Sequence, residues 1–413
     1  MTDPRPSALA RPMPRFGEFV AMMAALMAMT ALSVDIMLPA LPQIREDFGI
    51  ADANAQQLVI TAYVVGFAIG QLFHGPLSDG LGRRAVLFGG LAAYTLASIG
   101  CFVAGSFELL LVARVVQGLA NAAPRIVAVA VVRDIYGGRR MAEVMSFVMM
   151  IFIIAPVVAP SLGGAFLLLG SWHLIFVFLT LLGAANFVWM LLRLPETRPA
   201  EAREPISIGW VASAFGQAIA NRQTLGYTLA TGIIFGSLMG YINSAQQIYV
   251  EIYGLGALFP IVFGACAAAL AIASFVNSRL VGRLGMRRVS HAAIIGFVVS
   301  GVVHAALALT VGVPLGLFVC LLSLSLFCFG LMMPNFNALA MEPMGRIAGT
   351  ASSFVGAVTT ALGAGLGLWI GQSYDGTIVP LTLGFAGLGV GGLLVALVTE
   401  GGRLFQVAPP RAR

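Results

Sequence analysis

Three charged side chains lie inside apolar stretches, where hydrocarbon would ordinarily admit none: Asp35, Arg114 and Arg125. Such a charge costs several kcal/mol unless it faces a cavity or a partner. Asp35 lies about 15 Å in from Arg45 at the rise of a helix, and Arg114 about two turns in from its own end, so their depths match. A carboxylate there is driven towards the neutral acid, and a neighbouring guanidinium restores the anion. Together they can take up and give up a proton. The alternative is a permanently ionised structural pair.

Arg114 and Arg125 fall about 20° apart after three helical turns, with Gly118 and Asn121 on the same face and Gln117 beside it. That stripe is polar where lipid demands apolar side chains, so it should line water or a bound molecule. The alternatives are snorkelling or helix knitting for Arg114 and, for Arg125, satisfaction of the carbonyl that Pro124 frees. Neutral donors and acceptors recur elsewhere, and Asn121, Arg125, Gln117, Met149, Tyr241, Gln246 and Asn335 are the candidate lining of an adaptable cavity. Packing between helices is the alternative for any single one. The histidines and cysteines are scattered, so no metal site and no nucleophile triad is expected. All 23 basic residues are arginine, which excludes a Walker A lysine and a lysine Schiff base.

These groups need elements that hold them in a membrane. The chain is 59% hydrophobic and 10% charged, with a mean hydropathy of +0.95, whereas soluble domains carry about 25% charged residues. Runs of roughly 20 apolar residues divide it into twelve spans, the first near 17–41 and the fifth near 143–169. A Pro-containing polar segment separates the sixth span from the seventh. We therefore expect one unit over 1–193, a linker over 194–223 and a second unit over 224–413. The turn Gly75 to Arg84 returns 203 positions later as Ser278 to Arg287, with Gly282 where Asp79 stands, as in a duplicated unit. With a cytoplasmic N-terminus, twenty arginines fall inside and Arg45 alone falls outside. That split predicts a multi-pass inner-membrane protein with both termini cytoplasmic, and it accounts for the basic charge without nucleic acid.

Gly75-Pro76-Leu77-Ser78-Asp79-Gly80-Leu81-Gly82-Arg83-Arg84 resembles the signature loop between helices two and three of the major facilitator superfamily. Arg114-Val115-Val116-Gln117-Gly118 resembles its helix-four motif, and Ala155 to Gly164 its helix-five antiporter motif, with Pro156, Pro160, Gly163 and Gly164 in place. Val34 to Pro42, Val132 to Tyr136 and Ala348 to Ser353 are similar to the bicyclomycin and chloramphenicol resistance branch of drug:proton antiporters. The resemblance implies an all-α membrane protein, not an enzyme: twelve transmembrane helices in two pseudo-symmetric six-helix bundles that work by alternating access. It implies proton coupling through Asp35 and Arg114, and a cytoplasmic gate loop of Gly75, Asp79, Gly82, Arg83 and Arg84 fastening the two bundles. A bacterial monomer exporting small apolar drugs on the proton gradient, with no other cofactor, is the expectation. A metabolite or sugar carrier on the same fold, or a non-transporting sensor, are the rivals. Gly80 for the usual Arg, and the added Arg125, depart from the pattern.

Overall fold

The computed structural model describes residues 13–203 and 207–406, apart from the side chains of 138, 139, 142, 146, 149–153, 202, 208 and 346. The described helices of the first half are α1 (Phe16–Asp35), α2 (Leu41–Asp47), α3 (Leu58–Leu81), α4 (Arg83–Phe102), α5 (Phe107–Ile135), α6 (Gly138–Leu169) and α7 (His173–Arg193). After them come α8 (Ile208–Ala220), α9 (Arg222–Gln246), α10 (Phe259–Leu284), α11 (Met286–Thr310), α12 (Leu315–Met341), α13 (Ala348–Gln372) and α14 (Val379–Thr399). Eleven stretches are long and apolar enough to cross a membrane, and the apolar part of α6, Ile154–Leu169, completes the twelve. Helix is what such sequences must form in lipid, because only a helix or a closed barrel satisfies every backbone group internally.

Polar caps and glycine turns set the ends. The Ser106 hydroxyl accepts the Leu109 N–H to start α5, and the Asn221 amide oxygen accepts the Thr224 N–H to start α9. Gly82 (φ 97°) and Gly285 (φ 81°) turn α3 into α4 and α10 into α11 through a left-handed conformation that a side chain would strain. The repeated turn in the sequence is thus the same turn in space. Arg83, Arg133, Arg193, Arg222, Arg283 and Arg287 lie at or beside alternate helix ends, which defines one arginine-rich face.

Within the first half, α3 and α5 approach closely at Gly66 and Gly118, where a Cβ would come within 1.9 Å of the Val115 and Tyr63 carbonyl oxygens. α4 packs on α5 and α7, and α1 on α6. The second half repeats the scheme: α9 lies against α13 and α14, and α12 against α10 and α11. The halves meet through α3 on α13 and α6 on α10.

Two elements differ from expectation. The first span, Phe16–Asp47, is not one continuous helix: α1 stops at Asp35 and passes through a tight turn into α2. Pro39 has no N–H, so the Asp35 carbonyl loses its donor four residues on. The linker is not featureless but contains α8, capped by the Ser207 hydroxyl accepting the Trp210 N–H, with Phe215 packed on Phe354 of α13. Helix α6 continues through Pro156 and Pro160.

Candidate functional site

A cavity of 380 Å³ lies between the halves, where α1, α3, α5 and α6 face α9, α10, α12 and α13. Thr30, Ala31, Val34 and Asp35 line it from one face of the last turn and a half of α1, because positions three and four apart share a face. Phe235, Leu238, Met239, Ile242, Leu270, Phe329 and Met333 make an apolar wall opposite. Asp35 and Arg125 are the charged members of the lining. Asp35 is 4% exposed and makes no hydrogen bond or ion pair among the described residues. Arg125 likewise has no such partner; its guanidinium lies over the Phe67 ring at 5.5 Å.

Arg114 does not pair with Asp35, contrary to expectation. It is fully buried, and its donors go to the Val59 carbonyl (3.0 Å), the Ser33 carbonyl (3.0 Å) and Gln117 Oε1 (2.6 Å), with the Tyr63 ring 4.7 Å from its carbon. Gln117 passes the chain on to Ser98 of α4 at 2.7 Å. A guanidinium holds five donors in a fixed fork, so backbone carbonyls of two different helices can satisfy it without an acid. The result is a clamp joining α1, α3, α4 and α5, anchored two residues before Asp35.

The remaining polar candidates are also placed away from the cavity wall, except Arg125. Gln117 belongs to the clamp. Asn121 donates to the Tyr63 hydroxyl at 2.5 Å and to the Thr30 hydroxyl at 3.5 Å, and reaches the cavity through those two residues. Tyr241 stacks on Phe263 and meets the Tyr249 hydroxyl at 3.3 Å, and Asn335 donates to Asn277 of α10 at 2.7 Å. The Met149 side chain lies outside the described residues. The reason is common to them: a buried amide or hydroxyl without a partner costs about 1–3 kcal/mol, and a neighbouring helix supplies one sooner than a cavity does. The residues missed are the apolar lining, whose phenylalanines and methionines look in sequence like any lipid-facing ones.

A second cavity, of 250 Å³, opens towards the arginine-rich face between α3, α5, α12 and α13. Arg125 lines both cavities, and the Gln71–Thr360 hydrogen bond of 2.8 Å stands between them. The expected gate residues lie at its mouth. Arg83, 1% exposed, grips Asp134 (2.8 and 3.3 Å), Asp79 (2.7 Å) and Ser78 (2.8 Å). Arg84 reaches the Leu194 carbonyl, and Glu196 accepts both the Arg83 and Arg84 N–H groups at 3.0 and 3.1 Å. These hydrogen bonds tie the loop to its own half and to the linker. The contacts across the halves are made by Gly75, packed on Ser353, and by Asp79. A Cβ on Gly349 would lie 3.6 Å from Asp79 Oδ2, so the carboxylate sits against the first turn of α13 and its positive dipole end.

Asp79→Asn should accordingly loosen this face by about 1 kcal/mol, roughly fivefold in population. Maleimide labelling of a Ser353→Cys reporter, with Cys320 replaced by serine, should speed up severalfold. An unchanged labelling rate would remove Asp79 from the closure.

The opposite face is shut by amides. Gln56 donates to Gln246 Oε1 (3.3 Å), Gln57 to Gln247 Oε1 (2.6 Å) and the Gly371 carbonyl (3.0 Å), and Gln247 to Asn54 Oδ1 (2.9 Å). Asn54 continues to the Gln372 and Tyr374 carbonyls at 3.2 and 2.9 Å. Gln246, expected in the cavity, belongs to this clasp. Of the helix-five residues, Pro156 lines the cavity. Gly163 lets α6 close on the break after α1, since a Cβ there would lie 2.1 Å from the Ile36 carbonyl oxygen. Gly164 faces Pro260 of α10 across the halves. Pro160 sits in the helix between them.

Comparison with known proteins supplies a family. Residues 23–368 match the model described as Major Facilitator Superfamily. The uncharacterized MFS-type transporter YdgK of Bacillus subtilis (strain 168) is 34% identical over 353 residues, covering 85% of this chain and 87% of its own. The bicyclomycin resistance protein homolog of Haemophilus influenzae is 30% identical over 371 residues, covering 88% of this chain and 91% of its own. Among solved structures, the human organic anion transporter MFSD10 (TETRAN) superposes with a TM-score of 0.71 at 18% identity, covering 92% of this chain and 99% of that one. At that identity it shows a shared fold.

Proposed function

The chain belongs to the major facilitator superfamily, and from that premise we propose that it is a proton-coupled exporter of small, largely apolar drugs, working by alternating access in a bacterial inner membrane. The observation that carries the proposal is Asp35: a carboxylate without a partner among the described residues, lining a largely apolar cavity between the halves. A buried acid with no counter-charge is held in a membrane protein for what it binds. The resistance named for the Haemophilus relative supports export and a drug-like cargo. The arginine-rich face is taken as cytoplasmic.

In this reading Asp35 carries the proton and cargo competes with it. With the amide clasp closed and Asp79 drawn off α13, the cavity opens to the cytoplasmic side past Arg125; cargo enters and Asp35 gives its proton to solvent there. Rocking of the two six-helix halves opens the clasp and closes Asp79 on α13, and Asp35 then reloads from the periplasm as cargo leaves. Arg114 acts through position: by holding the Ser33 carbonyl it fixes the end of α1 that presents Asp35. Only a change of environment between the two states lets one fixed residue load on one side and unload on the other.

The test is purified protein in proteoliposomes with an imposed pH gradient, screened against a panel of antibiotics and metabolites. Gradient-driven uptake of at least one antibiotic, with counterflow of protons, is expected. Movement of sugars or metabolites indifferent to the gradient would replace this reading with a uniporter.

A further inference from the structure

We propose that the cargo is a dipolar amphiphile: an apolar body with a cationic or donor end that docks on Asp35 and an anionic or strongly accepting end that docks on Arg125. This rests on the exporter reading above and adds the charge pattern of the cargo to it.

The treatment of the other buried arginines in this chain is the first support. Arg83 is held by two carboxylates and a hydroxyl, and Arg114 by two carbonyls and an amide. Where a guanidinium has a structural task here, its donors are filled. Among the described residues Arg125 has the Phe67 ring and no hydrogen-bond acceptor, and it borders both cavities, where a ligand can meet its five donors. Pro124 precedes it, and the carbonyl that this proline frees is not its partner either.

The second support is position. Arg125 lines both the central cavity and the vestibule on the arginine-rich face, so a molecule arriving from that face meets it on the way in. Asp35, 4% exposed, shares the inner cavity with it, and the rest of that wall is apolar apart from Thr30, Tyr63 and Thr360. One acid, one base and an apolar body between them is the complement of an amphiphile carrying both charges.

Charge logic decides between the simpler cargoes. An anion alone would leave Asp35 facing a second negative charge, and a cation alone would leave Arg125 facing a second positive one. Neutral cargo would leave both desolvated without a partner. A dipolar molecule satisfies both at once. Its cationic end is held by charge only while Asp35 is a carboxylate, so the proton weakens cargo binding and cargo weakens proton binding, which is the condition for exchange.

A matched series tests this. Ciprofloxacin supplies a rigid aromatic body with a carboxylate at one end and an ammonium at the other; its methyl ester is a cation, its N-acetyl derivative an anion, and the N-acetyl ester neutral. Binding of the four to the full chain in lipid nanodiscs is read from quinolone fluorescence. The zwitterion should bind about tenfold or more tighter than each of the others, as a charged hydrogen bond at each end implies. Arg125→Gln should shrink the advantage of the zwitterion over the ester towards one, and Arg125→Lys should restore part of it. The wild-type series is decisive even where a variant fails to fold. A neutral derivative bound as tightly as the zwitterion, or an advantage unchanged in a folded Arg125→Gln, overturns the proposal. Zwitterion-selective binding without gradient-driven movement would sink the exporter reading and leave this one standing. Gradient-driven movement of all four derivatives alike would do the reverse.

Discussion

Asp35→Asn should abolish uphill export, bringing the steady-state ratio of cargo across the membrane to about one while downhill exchange continues. The amide keeps the volume and a donor but cannot lose a proton, so it imitates the loaded acid permanently. Asp35 sits at the end of α1, where Pro39 breaks the helix, and no hydrogen bond or ion pair among the described residues ties its carboxylate in place. The exchange therefore removes a charge without removing a contact, and the fold should hold; elution and thermal unfolding should match the unaltered protein. The deciding measurement is cargo-induced proton release in detergent. A release of undiminished size from Asp35→Asn would assign the proton to another group.

Arg114→Ala should be the most damaging single change to stability, at about 3–5 kcal/mol. It would strand the Val59 and Ser33 carbonyls and Gln117 Oε1 in a fully buried region. Domains are stable by only about 5–15 kcal/mol, so the variant should unfold at markedly lower temperature in detergent, or fail to accumulate. Lysine should recover little, because a point charge on a flexible stem cannot bridge acceptors on α1, α3 and α5 together. If Arg114→Ala instead unfolds at the temperature of the unaltered protein yet releases no proton with cargo, the residue acts directly in proton exchange and not as a clamp.

The contrast between these two residues marks where sequence stops informing. Apolar run length and the distribution of arginines are collective signals, and the twelve helices follow from them together with the repeated glycine turn. Depth along a helix is also legible, which is why Asp35 and Arg114 look like partners. Which neighbour a side chain meets is not legible, because backbone carbonyls leave no mark in a pattern of side chains; those at Val59 and Ser33 take the place expected of Asp35. The polar residues were over-assigned to the cavity for the same reason. Asn335 and Tyr241 have partners on adjacent packed elements, while the wall itself is Phe235, Phe329 and Met333. Helix α8 carried a usable signal in Ser207 and the spacing of Val211, Phe215 and Ala218, obscured by the prolines and charges before it.

The surroundings of a bacterium swing in acidity and salinity far more than its interior does. The closure proposed to meet them is built from Asn54, Gln56, Gln57, Gln246 and Gln247, whose hydrogen bonds carry no formal charge. The five amide side chains themselves offer protons nothing to titrate and counterions no charge to screen. The ionic cluster of Asp79, Arg83 and Asp134 lies on the arginine-rich face, proposed as the buffered side. On the proposed orientation, weather outside the cell would reach the machine through Asp35 and its cargo sooner than through the amide bonds of the outer door.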